Sequence, residues 1–281
     1  MSKVFDQPFE EVVKARYSVR TYSSKPLSGE TIGQIEAYIK TLFNPFGQSV
    51  AFRLIESAQA VNAKQLGTYG MIKGASHYIG VTVKNTEGAL EAVGYEFEKL
   101  ILFAASLGLG TCWLGGTFNK SEFSKAMGVQ PDTLFPAISP IGWPEGKRLQ
   151  ERVVRRSIQA DRRKPWKDLF FNNGFSEPLA EADAGAYAFP LEMARLAPSA
   201  SNKQPWRIVR TQNAFHFYEA KAEGYSDRAG FDIQRIDMGI AACHFHLAAM
   251  EKELNGEFQR MEPQLAGVTE NTHYVFSWIC A

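Results

Sequence analysis

Three cysteines in 281 residues, Cys112, Cys243 and Cys280, are too few and too widely spaced for a disulfide framework or a thiolate metal site. They read as reduced and mostly buried. An excess of one charge sign is missing too. Lys+Arg number 31 against 30 Asp+Glu, so no net field draws in nucleic acid or an anionic membrane surface. A small-molecule partner is the expectation. The start, MSKVFDQPFEEVVKAR, carries charges where a secretory signal needs its apolar stretch, which predicts a cytoplasmic chain. A long apolar span is also lacking. The uncharged run Leu100 to Asn119 approaches bilayer length, but its second half, Gly108-Leu-Gly-Thr-Cys-Trp-Leu-Gly-Gly116, is too glycine-rich to continue a helix. A buried core helix ending near Gly108 is expected instead.

What is present is 45% hydrophobic residues, enough for one large core or two smaller ones. Periodicity predicts an amphipathic start over Phe9 to Ala15 and a helix from the N-cap Ser28 to about Phe43. Strands follow at Ser49 to Glu56 and His77 to Lys84, then a long helix from about Ala89 to Leu107. A short helix near Lys120 to Met127 and a strand at Leu134 to Ile141 come next. Pro165 is placed to open a short helix through Phe171. Asn172-Asn-Gly-Phe-Ser-Glu-Pro178 is turn chemistry and divides the chain into expected domains 1–172 and 173–281. Beyond it come a helix (Asp183 to Leu196), strands (Trp206 to Thr211, Ala214 to Glu219), a long helix (Gln234 to Leu254) and strands near Glu257 to Met261 and His273 to Ile279.

The second set of elements repeats the order of the first. Ile35-to-Glu56 and Leu191-to-Arg210 are both helix, loop, strand, and Phe103-Ala-Ala lies over Leu247-Ala-Ala. An internal duplication with a truncated second copy accounts for this; chance likeness of two helix–strand units is the alternative.

Two clusters carry chemistry. Arg16, Ser18 and Arg20 put two guanidinium forks and a hydroxyl within five residues, a donor set suited to phosphate oxygens. Alone it also fits a solvated basic turn. Ala197-Pro-Ser-Ala-Ser-Asn-Lys-Gln-Pro-Trp206 is a run of short polar side chains whose backbone the prolines restrict. Other features read as structural. His244 and His246, two apart on a helix, do not share a face and make poor metal partners. Gly108-x-Gly110 follows a helix, so it is no dinucleotide fingerprint. Arg155-Arg-Ser-Ile-Gln159 reads as a solvated connector.

Together these segments resemble the FMN-dependent nitroreductase family. Arg16-Tyr-Ser-Val-Arg20 is similar to its Arg-Arg-Ser-x-Arg signature. Pro198-Ser-Ala-Ser-Asn-Lys-Gln-Pro-Trp206 resembles its Pro-Ser-x-x-Asn-x-Gln-Pro-Trp loop, and 107–116 its glycine segment. Ile141-Gly-Trp-Pro144 with Arg162-Arg-Lys-Pro165 resembles its later strand and basic ending. The resemblance implies an α+β, nitroreductase-like fold, a mixed or antiparallel central sheet flanked by helices.

It also implies an FMN site. Arg16, Ser18 and Arg163 would face the phosphate with Arg162 or Lys164 nearby, Tyr17 would belong to the cofactor-binding set, and Arg20 would reach the ribityl chain and pyrimidine edge. Leu114, Gly115 and Gly116 would approach N5 with backbone donors. Pro198, Ser199, Ala200, Ser201, Asn202 and Gln204 would line the ring from the other half. No side chain is assigned to catalysis and no metal is expected. NADH or NADPH would be the donor and a nitroaromatic or quinone the acceptor, in ping-pong order. Alternatives are a flavin-binding module without turnover and a flavin-fragmenting or dehalogenating member of the superfamily.

Family members are dimers whose flavins take the arginine signature from one subunit and the Pro-Ser loop from the other. Here the loop appears only near residue 200, and its expected first-half counterpart, Asn44-Pro-Phe-Gly-Gln-Ser-Val-Ala51, has a degraded polar pattern. The chain therefore looks like a fused branch, one polypeptide forming a pseudo-dimer and monomeric in that sense, with one working pocket. A second departure is Met71, which stands where the family often places a cation.

Overall fold

The computed structural model describes residues 4–57, 67–146, 149–225, 230–261 and 263–281. The chain forms two compact units. One is Lys14–Ala160; the other combines the residues up to Val13 with Asp161–Ala281.

In the Lys14–Ala160 unit, helix α2 (Gly29–Ile39) begins at the expected cap, where Ser28 Oγ accepts the Thr31 amide at 3.1 Å. It stops earlier than the sequence suggested. Strands β1 (Val50–Glu56) and β2 (His77–Lys84) pair antiparallel, with Phe52 opposite Val81. Helix α3 (Ala89–Ser106) is buried along most of its length, including Glu91, Glu96 and Glu98 among its apolar residues. Gly108, in the left-handed region at φ 75°, turns the chain into the two-residue strand β3 (Gly110–Thr111). Helix α4 (Lys120–Met127), capped by Asn119, leads into β4 (Thr133–Gly142), and α5 (Leu149–Ser157) follows. The sheet order is β1-β2-β4-β3. A core of Tyr78, Leu114, Phe118, Phe123, Phe135 and Ile138 packs between this sheet and α4.

The other unit begins with α1 (Phe9–Ala15), whose Phe9 ring meets His244 edge-on at 6.0 Å. After Pro165 there is a single 3-10 turn, Trp166–Asp168, and then strand β5 (Phe170–Asn172), instead of the helix expected through Phe171. Phe170 and Phe171 pair in parallel with Ile208 and Val209, and Phe170 is fully buried. Sheet burial outweighs the helix-start signal of the proline. Helix α6 (Ala188–Leu196) is preceded by a kinked 3-10 segment that breaks at Gly185. Strands β6 (Trp206–Arg210) and β7 (Ala214–Ala220), helix α7 (Ile233–Glu251), and strands β8 (Gly256–Gln259) and β9 (Thr272–Cys280) complete the unit. The sheet order is β5-β6-β7-β9-β8.

Without β5, the second order matches the first strand for strand: β6 for β1, β7 for β2, β9 for β4, β8 for β3. Both short strands open on a glycine with no room for a Cβ. One at Gly110 would meet Val19 side-chain atoms at 2.8 to 2.9 Å, and one at Gly256 the Ile279 carbonyl and Trp278 ring at 2.4 to 2.6 Å. The units divide at 160/161, twelve residues before the joint read from turn chemistry at 172/173. That turn belongs to the second sheet, because the Asn173 amide donates to the Arg210 carbonyl at 2.7 Å. No described helix is long and apolar enough to cross a membrane. Cys112 and Cys243 are buried thiols, and Cys280 is half-buried.

Candidate cofactor site

The signature segment runs extended beside β3. The Val19 amide donates to the Thr111 carbonyl at 2.8 Å, and the close approach of Val19 to Gly110 fixes its path. On its other flanks the Lys73 amide donates to the Arg20 carbonyl, the Tyr22 amide to Lys73, the Ser23 amide to Trp143 and the Glu145 amide to Thr21, all at 2.9 Å. Three separate stretches, at Thr111, Lys73 and 143–145, thus hold residues 18 to 23, which fixes the path of the backbone.

Arg16 is paired on one side with the buried Glu98 of α3, Nε to Oε1 at 3.6 Å, while the other Glu98 oxygen accepts the Trp113 indole N–H at 2.7 Å. Tyr17 lies under the Arg155 guanidinium of α5 at 5.8 Å. Burial raises the pKa of the Cys112 thiol, and Arg20 and the Ser18 hydroxyl pull it back. Arg20 is 8% exposed, yet its Nε and Nη1 are buried without a hydrogen-bond partner among the described residues. Such a guanidinium costs stability unless something with acceptor atoms completes it. Sequence reasoning missed Glu98, and also Lys73, which borders Arg20 in the segment before β2 where only Met71 was weighed.

Leu114 is bonded both ways to Ile138, at 2.9 and 3.0 Å, so its amide is already used; Gly115 and Gly116 follow it toward the surface. The first-half counterpart loop is tied into its own surroundings. Asn44 donates to Glu96 and to the Gln48 carbonyl, and Gln48 bonds to Thr86 and to the Glu87 carbonyl.

In the other unit, the Pro-Ser loop forms a 3-10 turn, Ala200–Asn202, with Ser201, Asn202 and Gln204 all at positive φ. Three non-glycine residues in that region need strong local bonding, and it is present. Ser199 Oγ accepts the Gln204 amide at 2.8 Å, and Asp237 of α7 accepts the Ala200 amide at 2.9 Å. Burial raises the pKa of Asp237 well above its ordinary value. Ser201 accepts from the Tyr225 hydroxyl at 2.9 Å.

The loop is also wired to the basic ending. Asn202 Nδ2 donates to the Arg162 carbonyl at 2.9 Å, Arg163 donates to Asn202 Oδ1 at 3.3 Å, and the Lys164 amide donates to Gln204 Oε1 at 2.8 Å. Arg163 reaches the Leu196 carbonyl as well, at 3.0 Å. Burial and then the neighbouring Arg207 lower Lys164 to about 8. The structure therefore brings Arg162 to Lys164 together with Pro198 to Gln204 in one network. Sequence reasoning had placed those two groups in separate roles, and had not seen Asp237 beneath them.

The family model described as "Putative TM nitroreductase" matches residues 9–249. The chain belongs to this nitroreductase family. A Thermotoga maritima protein described as a "putative nitroreductase" superposes on the chain with a TM-score of 0.64 at 19% identity, over 97% of this chain and 94% of its own. The α+β architecture is thus the nitroreductase fold. An FMN-dependent nitroreductase from Clostridium difficile covers 49% of this chain and 88% of its own at 19% identity, TM-score 0.42. A nitroreductase with bound FMN from Bacteroides fragilis covers 51% and 92% at 20% identity, TM-score 0.40. No curated protein matches the nitroreductase sequence.

Proposed function

We propose that this nitroreductase-family chain binds FMN and reduces nitroaromatic or quinone-type acceptors with NADH or NADPH in ping-pong order. The observation that carries the reading is Arg20, a buried guanidinium with two unmet N–H donors beside the signature residues Arg16 and Ser18. Such a group fits a ligand rich in oxygen acceptors. FMN would supply hydride chemistry at N5 and pass two electrons to the acceptor.

The chain's own part is binding and orientation. Arg16 and Ser18, with Tyr17 between them, would hold the phosphate end, and Arg20 would donate to the ring's polar edge. Gly115 and Gly116 would offer backbone amides to the ring, since that of Leu114 is spent on Ile138. Pro198 to Gln204 hold their shape through Asp237 and the Arg162 to Lys164 backbone. Arg163 and Lys164 contribute positive charge from that network. The matching strand orders and the two sterically closed glycines, Gly110 and Gly256, support reading the units as copies, with one polypeptide standing for a dimer.

The test is direct. Purified protein titrated with FMN is expected to bind one equivalent per chain, and NADH or NADPH in a stopped-flow spectrophotometer is expected to bleach it. Binding without bleaching by either nucleotide would leave a flavin carrier and overturn the enzyme assignment.

A further inference from the structure

The signature segment is faced by an acceptor as well as by donors. Glu151, on α5, is 3% exposed. Its Oε2 accepts the Thr21 hydroxyl at 3.3 Å, while Oε1 is buried with no hydrogen-bond partner among the described residues. Thr21 adjoins Arg20, whose Nε and Nη1 are likewise unmet. The two charged groups share surroundings. Arg20 lowers and Glu151 raises the pKa of both Tyr22 and Cys112, the two buried side chains next to them, on top of the larger rise from burial. Helix α5 is held over the segment at a second point by Arg155 on the Tyr17 ring.

An internal ion pair would bring the guanidinium and the carboxylate into contact, and each would satisfy the other. Here each keeps an unmet polar atom. A ligand that completes both must offer an acceptor to Arg20 and an N–H or O–H to Glu151. A phosphate dianion offers acceptors alone, and a carboxylate would repel it. An imide edge, carbonyl, N–H, carbonyl, offers both kinds of group side by side, and the pyrimidine ring of a flavin carries that edge at C2, N3 and C4.

We propose that Glu151 is a flavin-binding residue whose free oxygen accepts the N3–H, while Arg20 donates to a flanking ring carbonyl. The inference rests on the FMN reading above and adds a residue and a ligand requirement to it: the imide N–H must be free.

The experiment compares FMN with its N3-methyl analogue, which keeps the phosphate and both carbonyls but lacks the N–H. Each is titrated by flavin fluorescence into the wild type, Glu151→Ala and Glu151→Gln. The wild type is expected to bind the methylated flavin at least about tenfold more weakly, the size of one charge-assisted hydrogen bond. Glu151→Ala is expected to bind the two flavins within twofold of each other, since both the acceptor and the obstacle to the methyl group are gone. Glu151→Gln keeps an acceptor of the same shape and retains part of the discrimination, which covers the case in which the alanine variant does not fold. Equal binding of both flavins by the wild type, or undiminished discrimination in a folded Glu151→Ala, overturns the assignment of Glu151 and leaves the FMN reading standing. Failure of the wild type to bind FMN at micromolar concentration overturns the FMN reading itself, and this inference with it.

Discussion

Replacing Asn202 separates what its side chain does from what its backbone does. Its φ is 56°, a region that costs an ordinary L-residue roughly 1–2 kcal/mol and asparagine less. Its side chain joins the Arg162 carbonyl, Arg163 and the Gln204 amide at 2.9, 3.3 and 3.2 Å. Such bonds are worth about 0.5–1.5 kcal/mol each, less where water replaces them at a half-exposed site. Asn202→Ala therefore loses the network and incurs the backbone strain, about 2–4 kcal/mol together. Asn202→Gly loses the same bonds without the strain, against an entropic cost of only about 0.4–1 kcal/mol in the unfolded chain. Urea unfolding is expected to rank wild type above Asn202→Gly and Asn202→Gly above Asn202→Ala. Both variants are expected to bind FMN about tenfold more weakly, because about 1.4 kcal/mol of ordering is lost between the loop and the basic run. Gln48→Ala, whose partners are Thr86 and the Glu87 carbonyl, is expected to leave FMN affinity within twofold. Equal stability of the alanine and glycine variants would refute the strain argument. Equal loss of FMN binding in Gln48→Ala and Asn202→Ala would put the flavin contact in the wrong loop.

Three further outcomes are expected. Arg20→Met keeps the packed stem but removes the unmet donors, so FMN affinity falls by about ten- to a hundredfold, given about 1.5–3 kcal/mol for hydrogen bonds to a charged group; an unchanged titration would detach Arg20 from the ligand. Gly110→Ala drives a methyl group into Val19, costing about 1–3 kcal/mol in overpacking and displacing the signature segment, so thermal stability and FMN affinity fall together. Glu219, fully buried beside Arg235, is raised by burial and then by Asp232 from its ordinary 4.5 to about 7. The folded state then binds a proton that the unfolded chain has released, so stability falls as pH climbs through that window. Glu219→Gln is expected to flatten the dependence of the urea midpoint on pH between about 4.5 and 7, and an unaltered slope would assign it to another group.

The long elements were legible because their burial is one-sided or complete over many residues. The apolar period of α3 and the alternation around Phe52, Leu54, Val81 and Val83 leave little choice of element. What escaped reading was short or decided from afar. The strand β3 has two residues, and β5 follows a proline that favours a helix start, yet becomes a strand because Ile208 and Val209 pair with it. Helix α5 was not foreseen, and Arg155 to Gln159, which begins in it, reads as a connector; Val153 of α5 is exposed and Glu151 buried, an inversion that no hydrophobic pattern announces. The signature and the Pro-Ser loop stood out by composition. The partners that orient them, Glu98 for Arg16, Asp237 for the Ala200 amide and Arg162 for Asn202, lie 37 to 82 residues away, beyond the reach of local spacing.

The position of α1 also sets a timetable for the ribosome. The Phe9 amide donates to a Glu251 oxygen at 2.8 Å, a partner 242 residues downstream. At roughly 5–20 residues per second, the nascent helix waits on the order of 10 to 50 seconds for that partner to be made. Throughout the wait Phe9, fully buried in the finished protein and in ring contact with His244, has no α7 to meet it. Biosynthesis of this chain therefore passes through a stage in which its first apolar helix is available to chaperones or to aggregation, and faster elongation shortens that exposure.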